Sequence, residues 1–416
     1  MLAWLVAHPY LSRLAVVLVA LAVAWLINLA IITQAYYPRA MGAWSDAPSG
    51  APRRRWIDWL PIIGWWRMRG EASSRGNRFW LRPLLIELGF PLVMWWLYDA
   101  HMTGALLPAA HLAQTLQSEL HCQFINQFVL IALMTVATFI DFDEQLIPDT
   151  ITVPGTLLGL LGSATLVVWF PLIPYARTMA EMDAASRGVW PEWLNDTSGF
   201  AIALLIVSGW CFALLERVWI TRRGWRKAPR YFFAAMFRTR WWMIVATLWG
   251  ALITAVIFAW QLPIARWQYF LSALFGLAFA GGITWSVRIA ARMALRVEAL
   301  GFGDVTLMAM IGAYIGWQPS LVVFFVAPLF AVIVFAARYL ISGDGHGPYG
   351  PYLCMAAAAV TVFWDHFQRN WAAPILELPP WVTFTILGVA VVMLGVMLWI
   401  WRLFKGTVQG LRYRQG

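Results

Sequence analysis

Asp141, Asp143, Glu144 and Asp149 fall within TFIDFDEQLIPDT, residues 138 to 150, between two runs apolar enough for lipid. A fifth acid, Asp304, follows Gly301 and Gly303 in EALGFGDVTLMAMIGAYIGW, residues 298 to 317, where another apolar run begins. Acids at a membrane border are expensive and are functional candidates by default. Two carboxyls that share one proton can activate a water as base and protonate the leaving amine as acid. Peptide hydrolysis by such a pair needs no metal and no nucleophilic side chain. The glycines permit a tight turn and close backbone approach, which lets an acid sit at a helix mouth.

A structural reading stands beside the chemical one. Asp149 and Asp304 each precede an apolar run, so each suits the N-cap of a helix. Asp143 and Glu144 read as solvated loop charges. Asp141 resists this reading, because it ends a span, where the helix macrodipole disfavours negative charge.

The elements that must position these acids are membrane helices. Hydrophobic residues make up 61% of the 416 and charged residues 12%, against about a quarter charged in a soluble domain. The apolar runs are continuous, which excludes the alternating pattern of an outer-membrane barrel. The predicted fold is all-α and polytopic, with about eleven spans near 14–33, 83–100, 123–140, 150–173, 198–219, 241–261, 268–287, 305–317, 319–337, 351–364 and 381–401. Lys and Arg divide twenty-five against five between the two sides, gathering in 34–82, 217–240, 288–304 and the C-terminal tail. The positive-inside rule then places the N-terminus outside and the C-terminus in the cytoplasm, with Asp141 and Asp304 both at the cytoplasmic border. The net charge of +10 fits anionic lipid headgroups and does not call for nucleic acid. The first apolar run lacks the basic stretch of a cleaved signal and reads as a retained helix. Cys122, Cys211 and Cys354 lie far apart in or beside apolar runs and read as packing residues.

These segments carry a resemblance. FIDFDEQLIPDTITVP resembles the aspartate segment of the type IV prepilin leader peptidases, EALGFGDVTLMAMIGAYIGW their G-x-G-D segment, and GPYGPYLCMAA, residues 347 to 357, their P-x-G-P-F/Y segment. The three occur in the family's order. The resemblance implies a G-x-G-D membrane aspartic peptidase of the inner membrane, with Asp141 and Asp304 catalytic. It also implies supporting places for Asp143, Asp149, Glu298, Gly301 and Gly303. Its substrates would be type IV prepilins or type II secretion pseudopilins, cut after a basic leader on the cytoplasmic side. Proteolysis would take no cofactor. Members often also N-methylate the product with S-adenosylmethionine.

The resemblance weakens toward the N-terminus. Residues 57 to 90 keep the frame of the family's cytoplasmic loop, including Pro61, Arg69, Gly70 and Glu87, and Asn28 matches an asparagine of its first helix. The two cysteine pairs with which many members hold zinc are absent, since 34–82 contains no cysteine, and a tetrahedral thiolate site is impossible there. The lysine expected two places after the second catalytic aspartate is Thr306. Three regions follow: 1–120, the N-terminal helices and the cysteine-free loop; 121–364, the peptidase core with an inserted helix pair near 198–261; and 365–416, a helix and basic tail. The alternatives are a channel or transporter binding a cation at the border aspartates, and an inactive scaffold relative.

Overall fold

The computed structural model describes residues 8–39, 41–48, 53–106, 117–165, 191–215, 241–296, 300–342, 347–372, 374, 378 and 380–413. Its principal helices are α1 (Pro9–Thr33), α2 (Ile63–Met68), α3 (Leu81–Met102), α4 (Gln117–Glu144), α5 (Asp149–Thr165) and α6 (Thr197–Leu214). They continue as α7 (Trp241–Trp260), α8 (Ile264–Leu295), α9 (Phe302–Ile315), α10 (Trp317–Ser342), α11 (Gly350–Val362) and α12 (Pro380–Tyr413). Among the described residues there is no strand. A helix stands at each of the eleven predicted spans. Six of them (α1, α4, α6, α7, α8 and α10) are long and apolar enough to cross a membrane, and α9, α11 and the middle of α12 are shorter apolar helices. The chain is a multi-pass membrane protein. The basic loop predicted over 220–240 lies outside the described residues.

The centre of the bundle is α9. From Asp304 to Ile315 every residue is buried, because α4, α5, α8, α10 and α11 surround it. A helix apolar on all faces belongs either in a protein core or in lipid, and here it is the protein that surrounds it. Its closest partner is α8, where Gly276 and Gly312 meet so tightly that a Cβ on either would overlap the other's carbonyl. Small residues at such crossings let backbones touch, the main source of helix adhesion in lipid.

Polar side chains join the helices where apolar contact cannot give direction. Asn126 of α4 donates its side-chain amide to the Tyr314 carbonyl at 3.2 Å, and Tyr314 donates its hydroxyl to the Gly155 carbonyl at 3.0 Å. Gln127 donates to the Thr361 carbonyl at 3.2 Å and pairs with His101 at 2.8 Å.

The described residues between 34 and 82 are folded rather than a loose connection. Glu71 accepts both Arg54 and Arg75, and Glu87 gathers Asn28, Trp65 and the Ile62 backbone N–H. Pro61 and Ile63 close a γ-turn at Ile62, which has φ of 66°. That conformation is strained for a β-branched residue, and the Glu87 carboxylate is the partner that holds it. Ion pairs and a buried acid thus organise a segment in which zinc thiolates are chemically excluded.

Candidate active site

The last turn of α4 carries Asp141. Gln145, with φ of 55°, then reverses the chain while its N–H bonds the Asp141 carbonyl at 2.9 Å. A left-handed residue at this place is a usual way to end a helix. The reversal puts Ile147 on the inside of the corner, and α5 starts two residues later. Asp304 is the third residue of α9. Its Oδ2 accepts the Gly301 N–H at 3.1 Å, the reciprocal bond of a capping box, so Asp304 is not the N-cap that its place before an apolar run suggested: Gly301 is, and the acid sits further in, at N3. The third element is the start of α11, where the Gly350 N–H donates to Asp141 Oδ2 at 3.0 Å in a buried setting.

One side chain holds the three elements in register. A Cβ placed on Gly303 would lie 2.9 Å from the Ile147 Cβ and 3.1 Å from its carbonyl oxygen. One placed on Gly350 would lie 2.5 Å from Asp141 Oδ2 and 2.8 Å from Ile147 Cδ1. Ile147 therefore sits against both glycine corners, and its neighbours have no room for a side chain. In this corner Asp141 and Asp304 are 4% and 8% exposed, and the charge of Asp304 acts on Asp141 across it. Tyr349 faces the same acid. Burial first, and then the Asp304 carboxylate, push its phenol upward, so it stays protonated.

The structure sorts the other predicted residues. Asp143 does not enter the corner. It pairs with Arg82 at 2.7 Å and Arg39 at 3.2 Å, while Glu144 accepts the backbone N–H groups of Tyr36 and Tyr37 at 2.7 and 3.0 Å. Both are anchors between the N-terminal region and the end of α4, not solvated loop charges. Arg82 also lies 5.6 Å over the Phe139 ring, so the turn bearing Asp141 is gripped on either side. Asp149 is the first residue of α5, and its carboxyl lies near Thr152 of its own first turn and Thr306 of α9. Thr306 itself donates its hydroxyl to the Gly303 carbonyl at 3.1 Å. Gly301 is the N-cap of α9. Glu298 lies outside the described residues. The three cysteines are buried, and Cys354 packs one turn beyond Gly350, within electrostatic reach of both aspartates.

Arg288 of α8 escaped the sequence reading. Its Nε donates to the Leu300 carbonyl at 3.0 Å, its guanidinium lies 5.7 Å over Phe302, and its charge acts on Asp304. A cation therefore reaches the second aspartate from another helix, while the expected lysine position holds Thr306. No sequence signal marks it, since one arginine near the end of an apolar run has many explanations. Among the described residues no cluster of three or more His, Cys, Asp or Glu could hold a metal ion.

Residues 237–336 match the type IV leader peptidase family, a stretch that includes the glycine turn and Asp304 but not Asp141. Over 103 residues the chain is 34% identical to a protein of Pseudomonas aeruginosa named prepilin leader peptidase/N-methyltransferase, covering 24% of this chain and 35% of that relative. Over 152 residues it is 32% identical to the type 4 prepilin-like proteins leader peptide-processing enzyme of Escherichia coli, covering 35% and 44%. A prepilin leader peptidase/N-methyltransferase of Dichelobacter nodosus is 32% identical over 121 residues, covering 29% and 36%. The chain thus spans less than half the length of these relatives. No solved structure matches it. The family resemblance carried by the motifs is supported by these matches.

Proposed function

We propose that this chain, similar to the type IV leader peptidases over its matched stretch, is itself a membrane aspartic endopeptidase with Asp141 and Asp304 as its catalytic pair. It would remove the basic leader from type IV prepilins or type II secretion pseudopilins, at the cytoplasmic face of the inner membrane. The observation that carries this reading is the corner in which two acids, 163 positions apart in the sequence, share one buried space. Two buried carboxyls within electrostatic reach of each other cannot both ionise cheaply, so in this reading the pair would hold one proton between them.

In this reading the ionised carboxyl takes a proton from a water as its oxygen bonds the scissile carbonyl carbon. The protonated partner gives its proton to the carbonyl oxygen. As the tetrahedral species collapses, the C–N bond breaks and a carboxyl proton passes to the leaving amine. The Gly350 and Gly301 amides each hold an Oδ2 atom, which leaves the Oδ1 atoms to face water and peptide. Arg288 steadies negative charge at Asp304. The sequestered, preset geometry is what such a pair requires.

Two of the relatives above are named N-methyltransferases as well. N-methylation of the product with S-adenosylmethionine enters this reading only through those names.

The test is co-expression with a precursor that has a basic leader, a glycine and then an apolar stretch. The wild-type chain shortens the precursor, while Asp141→Asn and Asp304→Asn each leave it full length and remain in the membrane. Full cleavage by either variant refutes the assignment.

A further inference from the structure

The segment RRRWIDWLPIIGWWRMR, residues 53 to 69, is amphipathic in the opposite sense to a water-facing loop. Trp56, Trp59, Leu60, Ile63 and Trp66 are exposed, by 38% to 73%. They lie on two short helices, Trp56–Trp59 and Ile63–Met68, and on the bend at Leu60 between them. The side turned toward the protein holds Asp58, Gly64, Trp65 and Met68, all buried. A contiguous apolar surface of this kind marks a contact face.

Two contacts fix the depth of the segment. The Ile62 and Trp65 N–H groups donate to Glu87, six residues into α3 and so about 9 Å along it. The Trp59 ring lies 6.4 Å from Trp25, eight residues and about 12 Å before the end of α1. Since α1 is long and apolar enough to cross the membrane, the segment is folded back beside a helix that can span it. Trp66 continues the face to Trp80 at the start of α3, with ring centroids 5.7 Å apart. Exposed Arg53, Arg55 and Arg69 border it, and the Arg69 guanidinium lies 4.3 Å over the Trp66 ring.

We propose that residues 53–69 are an interfacial membrane element. Trp56, Trp59, Leu60, Ile63 and Trp66 enter the lipid, and Arg53, Arg55 and Arg69 meet anionic headgroups. Three features choose the bilayer as occupant of this face: indole beside guanidinium suits the headgroup layer, the basic border complements anionic lipid, and the face joins the outer surfaces of α1 and α3. The element sets the level of the N-terminal region against the membrane surface. Through Arg39 and Arg82 on Asp143, it sets the level of Asp141 too. The proposal does not depend on peptidase activity.

The test uses the full chain with a nitroxide-labelled cysteine at Trp59 or, separately, Ile63, reconstituted in vesicles of phosphatidylethanolamine and phosphatidylglycerol. Relaxation by oxygen and by a water-soluble nickel chelate reads depth. Both labels should be relaxed several-fold more by oxygen than by nickel, like a label at Leu92 on the outer face of α3. A label at exposed Asn77 should show the reverse. Replacing Arg53, Arg55 and Arg69 by Gln, or using phosphatidylcholine alone, should make the Trp59 and Ile63 labels shallower. Nickel access equal to that at Asn77 overturns the proposal. Shielding from both reagents also overturns it, and would mean that protein covers the face. Equal depth in anionic and neutral lipid overturns the headgroup contact. Agreement of the two sites guards against a local effect of one substitution.

Discussion

Gly350 gives its backbone N–H to Asp141 at 3.0 Å and stands so close that a single methyl would collide with the same carboxyl oxygen. The hydrogen bond and the absence of a side chain are one requirement, because the amide reaches the acid only if the Cα comes with it. Gly350→Ala should therefore push Asp141 off its donor and lower leader cleavage by about a hundredfold or more. The protein should still reach the membrane, as seen in cell fractions. Cleavage within a few-fold of wild type would show that Asp141 tolerates displacement.

Arg82 and Asp143 form a partly buried pair, with side chains 34% and 18% exposed. The pair grips the turn that carries Asp141. Arg82→Ala and Asp143→Ala should each reduce kcat more than they raise KM. A double-mutant cycle should give a coupling of about 1 kcal/mol, roughly a fivefold rate effect. Additive losses would show that the pair does not act as a unit.

Glu71 is 4% exposed and accepts two arginines. Glu71→Gln leaves both cations short of their partner, at a cost of about 3 kcal/mol. Thermal unfolding should move down by several degrees. Prolonged dialysis against a chelator should move neither Tm nor cleavage, because a thiolate site cannot form in a segment without cysteine. A chelator-sensitive Tm would point to a metal held in another way.

The Tyr349 phenol stays protonated, through burial and then the Asp304 carboxylate. Its ionisation therefore lies above the pH range in which the carboxyls work. Tyr349→Phe should lower kcat by about tenfold and leave the alkaline limb of the pH–rate profile where it was. A shift of that limb in the variant would mean that the phenol titrates during turnover.

The helices and the two acids were legible because apolar runs and border carboxylates are local features. What those acids touch was not. Arg39 and Arg82 lie 104 and 61 positions before Asp143, and no local spacing announces such a pairing. Asn126 and Gln127 sit at the start of an apolar run, where composition makes them look like its polar edge. Their role as interhelical donors needs the carbonyls of Tyr314 and Thr361, 188 and 234 positions downstream. The segment from 53 to 69 was hidden by its own interruptions, since Pro61 and the turn at Ile62 break a helical stripe into pieces too short to register. Arginines crowded beside the tryptophans made the whole stretch look polar.

The contact between Gly276 and Gly312 has a consequence for the two acids. Backbones that touch leave α8 and α9 no play, so Asp304 belongs to a rigid spine. Asn126 ties α4 to that spine at Tyr314. In the proposed peptidase Asp304 would therefore stand on the stiffer support, and Asp141 would be brought to it by a helix anchored to the same support.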